Sequence, residues 1–300
     1  MVCVATSAVF QHTLRKAVVF EGVGLHSGQT MTCVLRPAPA DAGIAFIRTD
    51  LSGDNRIPAR AEAVTRTQLG TVIANAAGAE VLTIEHLMSA FAALGVDNAI
   101  VELDGPELPI MDGSAQPFVK LIDRAGLEPQ NAPRRYIEIV EPIEVIDGDK
   151  RAALVPADQF EMAFEIDFAS AAIGGQRIDI VLDETAFREE LAESRTFGFL
   201  HEVEALRKAG LARGGSMDNC LVIDGDELMN PEGLRSADEF VRHKALDALG
   251  DLYLLGAPLI GRFEGVLAGH TLNNAICRAL LARPEAWRTR LYSEDLAEAV

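Results

Sequence analysis

The 300-residue sequence is poor in cysteine and in basic side chains. Its four cysteines, Cys3, Cys33, Cys220 and Cys277, lie far apart and form no Cys-x-x-Cys pair, which indicates neither a disulfide framework nor a thiolate zinc site. Lysine and arginine total 27 against 45 acidic residues, a formal net charge of −18. Because such a charge repels phosphate, sequence-independent binding of nucleic acid is not expected. An anionic substrate must therefore be held by local basic groups.

Long hydrophobic runs are also absent. The apolar stretch at 249–263 is interrupted by Asp251 and Arg262, so it falls short of the roughly 18 residues that a membrane helix needs. The N-terminal MVCVATSAVF lacks the basic start of a secretory signal. The sequence therefore predicts a cytoplasmic protein without a transmembrane segment. With 49% hydrophobic residues it has enough apolar side chains for a sizeable core.

The first half of the chain reads as strands followed by helices. Strand-like segments surround the glycine-rich turn GVGLHSG. A helix is predicted at 82–95, with Thr83 as its N-cap and Gly95 as its stop, and another at 117–126. The polar segment 128–135, which carries two prolines, is predicted to be a linker.

The second half repeats the order of strands and then helices. Its predicted segments are strands within 136–168 and near 262–268, and helices at 184–193, 236–256 and 271–282. This repetition predicts an α+β fold of two domains of similar topology, residues 1–129 and 130–300, packed as a β-α-α-β sandwich. Residues 197–224 form a small helix-and-strand insert in the second domain.

One helix carries an unusual pair of polar residues. In EFVRHKALDALGDLYLLG, His243 and Asp247 lie four positions apart and so project from the same side. They form either an ordinary ion pair or part of a metal site. A catalytic zinc takes three nitrogen or oxygen ligands from the protein and leaves a fourth position open. His86 is the candidate third ligand because its neighbour Glu85 supplies a carboxylate as a possible base.

A proton donor is needed beside such a base. His270 follows the strand GVLAG and precedes a helix, a junction that suits this role. Each assignment has an ordinary alternative: His86 as a satisfied helix histidine, Glu85 as a solvated carboxylate, and His270 as a capping group. The residues alone leave open a mononuclear metal hydrolase with its site between the two halves.

Several long motifs narrow the choice. They read GVGLHSGQTMTCVLRPAPADAGIAFIRTDL, TIEHLMSAFAALGVDNAIVELDGPELPIMDGSAQPF, SRTFGF, GLRSADEFVRHKALDALGDLYLLG and GHTLNN. In this order they closely resemble the UDP-3-O-acyl-N-acetylglucosamine deacetylase family, the zinc amidases that commit Gram-negative bacteria to lipid A synthesis. The resemblance covers nearly the whole chain. It implies hydrolysis of the N-acetyl group of UDP-3-O-(3-hydroxyacyl)-N-acetylglucosamine to the free amine and acetate.

The resemblance also implies roles for the residues already singled out. It makes His86, His243 and Asp247 the ligands of one catalytic Zn²⁺. It makes Glu85 the general base that takes a proton from the attacking water, and His270 the general acid that protonates the leaving amine.

Further residues take roles from the resemblance alone. Thr196 is implied to stabilise the oxyanion, and Asp251 to orient its neighbours or support catalysis. Lys244 and His26 are implied to contact the pyrophosphate and sugar region of the substrate. Relatives often have a basic residue where this chain has Leu267, so one diphosphate contact of the family is not expected here.

The insert is implied to form a hydrophobic passage for the acyl chain of the substrate. Its candidate lining residues are Phe197, Val203, Leu211 and Val222. Without the resemblance, the last three are interpreted as ordinary core residues.

Two other functions remain open from sequence. A metal-dependent phosphoesterase uses more carboxylates and often a second metal ion. A sugar-nucleotide binding module keeps the fold without the chemistry, and the presence of Glu85 and His270 argues against it. The UDP-linked, acylated amino sugar is the expected partner, nucleic acid is not expected to bind, and the protein is expected to be a monomer.

Overall fold

The protein is described by a computed structural model over residues 9–291. Cys3 and the start of the N-terminal stretch examined for a secretory signal lie outside the described residues. In the first half the elements are β1 (Phe10–Leu14), β2 (Val18–Val23), β3 (Thr30–Pro37), β4 (Ile44–Arg48), β5 (Arg56–Pro58), β6 (Val64–Arg66), β7 (Val72–Ala74), β8 (Glu80–Val81), α1 (Glu85–Leu94), β9 (Ala99–Leu103), α2 (Gln116–Ala125) and β10 (Leu127–Pro133).

The second half contains the remaining strands and helices. They are β11 (Arg135–Ile139), β12 (Ile143–Asp147), β13 (Lys150–Val155), β14 (Phe160–Asp167), β15 (Gly175–Val181), α3 (Glu184–Ala186), β16 (Phe197–Phe199), α4 (Leu200–Lys208), β17 (Leu221–Asp224), β18 (Glu227–Leu228), α5 (Glu239–Tyr253), β19 (Leu259–Val266), α6 (His270–Leu281) and β20 (Trp287–Leu291). A short π-helix, Phe187–Leu191, continues α3. None of the helices within residues 9–291 combines the length and hydrophobicity needed to cross a bilayer.

Each half is built on one large mixed sheet. The first sheet has the order β2-β3-β9-β4-β5, and the second has the main order β12-β13-β19-β11-β20, with β14 paired to β19 and β15 to β14. Most neighbouring strands are antiparallel, with parallel pairs at β4–β9, β11–β19 and β14–β19. Helices α5 and α6 pack on the second sheet. The predicted α+β class is confirmed, whereas the domain boundaries and the sandwich packing stay predictions.

Helices α1 and α5 join the two halves at very short range. A β-carbon at Gly250 of α5 would collide with the carbonyl oxygen of Glu85, the first residue of α1. Only glycine permits this approach, because any larger residue would push the helices apart. The close packing places His86 of α1 opposite the middle of α5.

Two local predictions were wrong. Thr83 is not the N-cap of α1: it has a left-handed backbone with φ of 60°, and its hydroxyl donates a hydrogen bond to Glu107 instead. The segment 128–135 is not a free linker, since most of it forms β10, which pairs antiparallel with β1. Its prolines are tolerated because the sheet has only two strands and so leaves each strand one unpaired edge. The predicted stop at Gly95 is confirmed, with φ of 73° and an N–H bonded to the carbonyl of Phe91.

The insert contains the predicted helix and strand. Strand β17 lies between β16 and β18 in a small three-stranded sheet, and α4 connects β16 to the loop that precedes β17. No residue of α4 is buried. The apolar residues of α4 are therefore not part of a compact core.

Candidate active site

The candidate metal ligands converge where α1 meets α5. The Nε2 atoms of His86 and His243 each lie 3.4 Å from Oδ1 of Asp247. One ligand atom from each of the three residues lies within 4.8 Å of the others, and all three side chains are buried. The four-residue spacing on α5 thus brings His243 and Asp247 to one point, as predicted, and α1 supplies His86.

A backbone carbonyl sets the orientation of His243. Its Nδ1 lies 3.0 Å from the carbonyl oxygen of Ser194. Because a carbonyl oxygen only accepts hydrogen bonds, Nδ1 must carry the proton. The lone pair of Nε2 is then free and faces Asp247, as a metal ligand requires.

The electrostatics of the cluster fit a divalent cation. Burial lowers the pKa of His243 to about 4, so this imidazole is neutral. Burial on its own raises the pKa of Asp247, but His243 and Lys244 outweigh it and hold that pKa well below its usual range. Oδ1 of Asp247 is buried without a hydrogen-bond partner among the described residues, which is costly unless a cation binds there. Two imidazoles and one carboxylate match the donors of a catalytic zinc site.

Glu85 lies beside the cluster at the start of α1. The residue is 3% exposed, and its Oε2 accepts a hydrogen bond of 3.0 Å from the backbone N–H of Thr71. Burial raises the pKa of Glu85, while the charges of His270 and His86 oppose that rise. A buried carboxylate with a raised pKa is suited to accept a proton near neutral pH.

His270 begins α6 and is paired with a buried carboxylate. Its Nδ1 lies 2.8 Å from Oδ2 of Asp251, and its Nε2 lies 3.9 Å from Oδ2 of Asp247. Asn273 donates to the same Oδ2 of Asp251, and Thr71 donates to Oδ1. Burial on its own lowers the pKa of His270, but Asp251, with Asp247 and Glu85, raises it to about 9. The imidazolium therefore persists at neutral pH.

The remaining candidates lie around this centre. Nζ of Lys244 donates to Oδ2 of Asp247 over 3.1 Å. Thr196 is half-buried, and its backbone N–H donates to the carbonyl of Gly113. The ring of Phe197 meets that of His243 edge-on, with centroids 6.4 Å apart. These three residues thus lie next to candidate metal ligands or next to the segment that orients one of them.

His26 lies between two loops. Its Nε2 contacts the carbonyl of Leu69 at 3.0 Å, and its Nδ1 accepts from the backbone N–H of Ala212 at 3.4 Å. Leu69 and Ala212 both have left-handed backbones, with φ of 60° and 50° respectively. The ring therefore connects the loop that carries Thr71 to the insert, and its contact with substrate stays a prediction.

The apolar residues of the insert do not join the polar cluster. Val203, Leu211 and Val222 are each half-buried. No hydrogen bond or ring contact in the part of the chain from 9 to 291 connects them to the candidate metal ligands. Their role in binding an acyl chain stays a prediction.

Sequence reasoning missed three residues that hold the site together. Thr71 contacts both Glu85 and Asp251, Asn273 contacts Asp251, and the carbonyl of Ser194 contacts His243. Ser194 and Asn273 fall within the motifs SRTFGF and GHTLNN, so the motifs held a signal for them. Thr71 precedes α1 in a loop and had no such signal.

Comparisons with known proteins identify the family of the chain. The UDP-3-O-acyl N-acetylglycosamine deacetylase (LpxC) family matches residues 11–282. A protein from Phenylobacterium zucineum (strain HLK1) named UDP-3-O-acyl-N-acetylglucosamine deacetylase is 69% identical over 97% of this chain and 100% of its own length. A protein of the same name from Teredinibacter turnerae is 50% identical over 95% of this chain and 94% of its own length. Another from Acidithiobacillus ferrooxidans is 51% identical over 96% of this chain and 95% of its own length. The chain therefore belongs to the UDP-3-O-acyl N-acetylglycosamine deacetylase family.

Proposed function

We propose that this protein is a zinc-dependent deacetylase that hydrolyses the N-acetyl group of UDP-3-O-(3-hydroxyacyl)-N-acetylglucosamine, the committed step of lipid A synthesis. The observation that carries the proposal is the convergence of His86, His243 and Asp247 beside a buried base, Glu85, and a cationic histidine, His270. Membership of the family supports the substrate. The cytoplasmic location and monomeric state expected from the sequence belong to the same proposal.

One zinc ion fits the three-residue cluster. His86 and His243 would bind it through Nε2, and Asp247 through Oδ1. When bound, zinc lowers the pKa of a water ligand to about 7 and polarises the oxygen of the substrate amide. The chain's own residues then have to move two protons and stabilise one developing charge.

Glu85 takes the first proton. Water attacks the carbonyl carbon of the acetamide, one of its protons passes to the carboxylate of Glu85, and the C=O electron pair moves onto oxygen. The raised pKa of Glu85 makes it a stronger base than a solvated glutamate. The hydrogen bond from Thr71 fixes the carboxylate without protonating it.

His270 gives the second proton. An amide nitrogen is a poor leaving group, so the C–N bond breaks only as nitrogen becomes protonated. The imidazolium of His270 donates the proton from Nε2, because Nδ1 is bonded to Asp251. The products are acetate and the free amine.

The negative charge that develops on the acetamide oxygen, the oxyanion, needs a hydrogen-bond donor in addition to the metal cation. Thr196 is proposed to supply its hydroxyl, and the positive charge of His270 lies close enough to the cluster to add to this stabilisation. Both groups are present before the reaction begins, so little reorganisation is required.

The rest of the substrate extends away from the reacting centre. Lys244, a cation beside the cluster, and His26 are proposed to contact the pyrophosphate and sugar. Phe197, Val203, Leu211 and Val222 are proposed to line the acyl passage. The apolar side chains of α4, none of which is fully buried, support a ligand-binding role for the insert.

A phosphoesterase with two metal ions is less well supported. Within the described residues, 9–291, one cluster has the spacing of metal ligands, and it contains a single carboxylate. The deciding experiment is acetate release from the acylated UDP-sugar by purified protein, with a chelator and then with zinc restored. Activity that is lost to the chelator and recovered with zinc supports the proposal, and absence of acetate release from zinc-loaded protein contradicts it.

A further inference from the structure

A buried ion pair lies at the start of α5 and has no part in the mechanism above. The side chain of Glu239 is fully buried, and that of Arg195 is 3% exposed. Oε1 of Glu239 accepts from Nε of Arg195 at 2.9 Å and from the backbone N–H of the same residue at 3.0 Å. Oε2 accepts from Nη2 at 3.2 Å. The carboxylate therefore fixes the main chain at residue 195 as well as the side chain.

The arginine is held from a second side. Its Nη1 donates to the carboxylate of Glu232 at 2.6 Å, and its Nη2 donates to the carbonyl of Gly233 at 2.7 Å. Three groups from two different segments thus restrain one residue. A position restrained in this way has little freedom to rotate or translate.

The neighbours of Arg195 both belong to the proposed site. On one side, the carbonyl of Ser194 sets the proton position and orientation of His243. On the other side, Thr196 carries the hydroxyl proposed for the oxyanion. A shift of the main chain at 195 would move both groups together.

The energetics favour a positional role over a purely stabilising one. Replacing a buried ion pair by apolar residues of similar volume is often neutral or stabilising, because two charges must be stripped of water to form it. Stability therefore does not explain why this site uses charges. The geometry does, because only a carboxylate at Glu239 accepts three hydrogen bonds from Arg195 at once.

We infer that Glu239 and Arg195 are positioning residues that fix, through one main-chain segment, the imidazole of the ligand His243 and the hydroxyl of Thr196. The part of the inference that concerns Thr196 and catalysis rests on the proposed function. The part that concerns metal binding depends only on the orientation of His243 and is testable without substrate.

The chain offers a matched control. Asp97 is a largely buried carboxylate that accepts from Nε of Arg134 at 2.9 Å and from the backbone N–H of His12 at 2.8 Å. Like Glu239, it accepts from an arginine side chain and from a backbone N–H, although these two donors belong to different residues. None of its partners is a residue of the proposed site.

The test compares Glu239→Gln with Asp97→Asn. Both variants are expected to lose thermal stability in the metal-free protein, since each removes a carboxylate charge that a buried arginine contacts. Zinc affinity, measured by competition with a chelating dye, is expected to fall about 10- to 100-fold only in Glu239→Gln, as for other residues that orient metal ligands. In zinc-saturated protein, kcat should also fall in Glu239→Gln with little change in KM, and both parameters should be retained in Asp97→Asn.

Two further variants keep the test decisive. If Glu239→Gln does not fold, Glu239→Asp keeps the charge but shortens the reach, and the same loss of zinc affinity is expected. Arg195→Lys keeps the main-chain bond to Glu239, so it should retain more zinc affinity than Glu239→Gln. Equal zinc affinity in the Glu239 variants and Asp97→Asn overturns the inference. If zinc-loaded wild-type protein releases no acetate, the proposed function fails, while the comparison of zinc affinities still decides the part that concerns metal binding.

Discussion

Gly250 on α5 lies directly against the carbonyl oxygen of Glu85 on α1, with no room for a β-carbon between them. This contact sets the distance between the helix that carries His86 and the helix that carries His243 and Asp247.

The first prediction follows from that contact. Gly250→Ala should separate α1 from α5, lower the free energy of unfolding by about 1–3 kcal/mol and weaken zinc binding, because overpacking moves the backbone. Denaturant unfolding and zinc titration measure the two effects. Gly175→Ala is the control, since its β-carbon would meet only ordinary contacts. Wild-type zinc affinity in Gly250→Ala would show that the helix spacing does not set the ligand geometry.

The metal ligands give the second prediction. His86→Ala, His243→Ala and Asp247→Ala should each empty the zinc site or weaken it severely, because each removes one of three protein ligands. Metal analysis after dialysis measures the occupancy. Full occupancy in all three variants contradicts the assignment of the cluster.

The third prediction separates proton transfer from metal binding. Glu85→Gln and His270→Ala should keep zinc but lose roughly 10²-fold or more in kcat, the usual contribution of a general base or acid. Metal content and acetate release are measured on the same preparation. A Glu85→Gln variant with wild-type rates at every pH would show that Glu85 is not the base.

A fourth prediction concerns the titration of His270 in the metal-free protein. Its pKa is raised to about 9, so its imidazolium should persist at neutral pH and lose its proton as the pH rises through about 9. Asp251→Asn removes the main charge that raises this pKa, so burial should prevail and the titration midpoint should move to lower pH. NMR titration of the imidazole measures both midpoints. An unchanged midpoint in Asp251→Asn would mean that Asp251 does not hold the proton on His270.

The fifth prediction tests the acyl passage. Burying a methylene is worth about 0.8 kcal/mol, so loss of a long acyl chain should cost several kcal/mol even after ordering losses. UDP-N-acetylglucosamine should therefore have a far lower kcat/KM than the acylated substrate. Val222→Trp should penalise long-chain substrates selectively and leave zinc content unchanged. Near-equal kcat/KM values for acylated and non-acylated substrates would remove both the passage and the proposed substrate.

The sequence predicted the elements that carry the site because helical spacing has direct geometric meaning. His243 and Asp247 were expected on one face of a helix, and the structure has them there. Thr71 was not foreseen, because its contacts with Glu85 and Asp251 depend on where a loop lies after folding. No local pattern encodes that position.

The errors at Thr83 and at 128–135 share a physical cause. Threonine caps helices when its backbone is extended, but here Thr83 is left-handed and its hydroxyl bonds to Glu107. Proline-rich polar segments are usually loops, yet this one pairs with β1, a partner more than a hundred residues away. In both cases a tertiary contact prevailed over the local preference.

The candidate metal ligands come from α1 and α5, which lie far apart in sequence and in different halves of the chain. The complete site therefore does not exist until both helices have folded and met, and the unfolded chain offers a metal ion only isolated side chains. By thermodynamic linkage, zinc at 100 times its dissociation constant adds about 2.7 kcal/mol to the unfolding free energy. Zinc bound at the proposed site would thus stabilise the folded chain in addition to its proposed part in the chemistry.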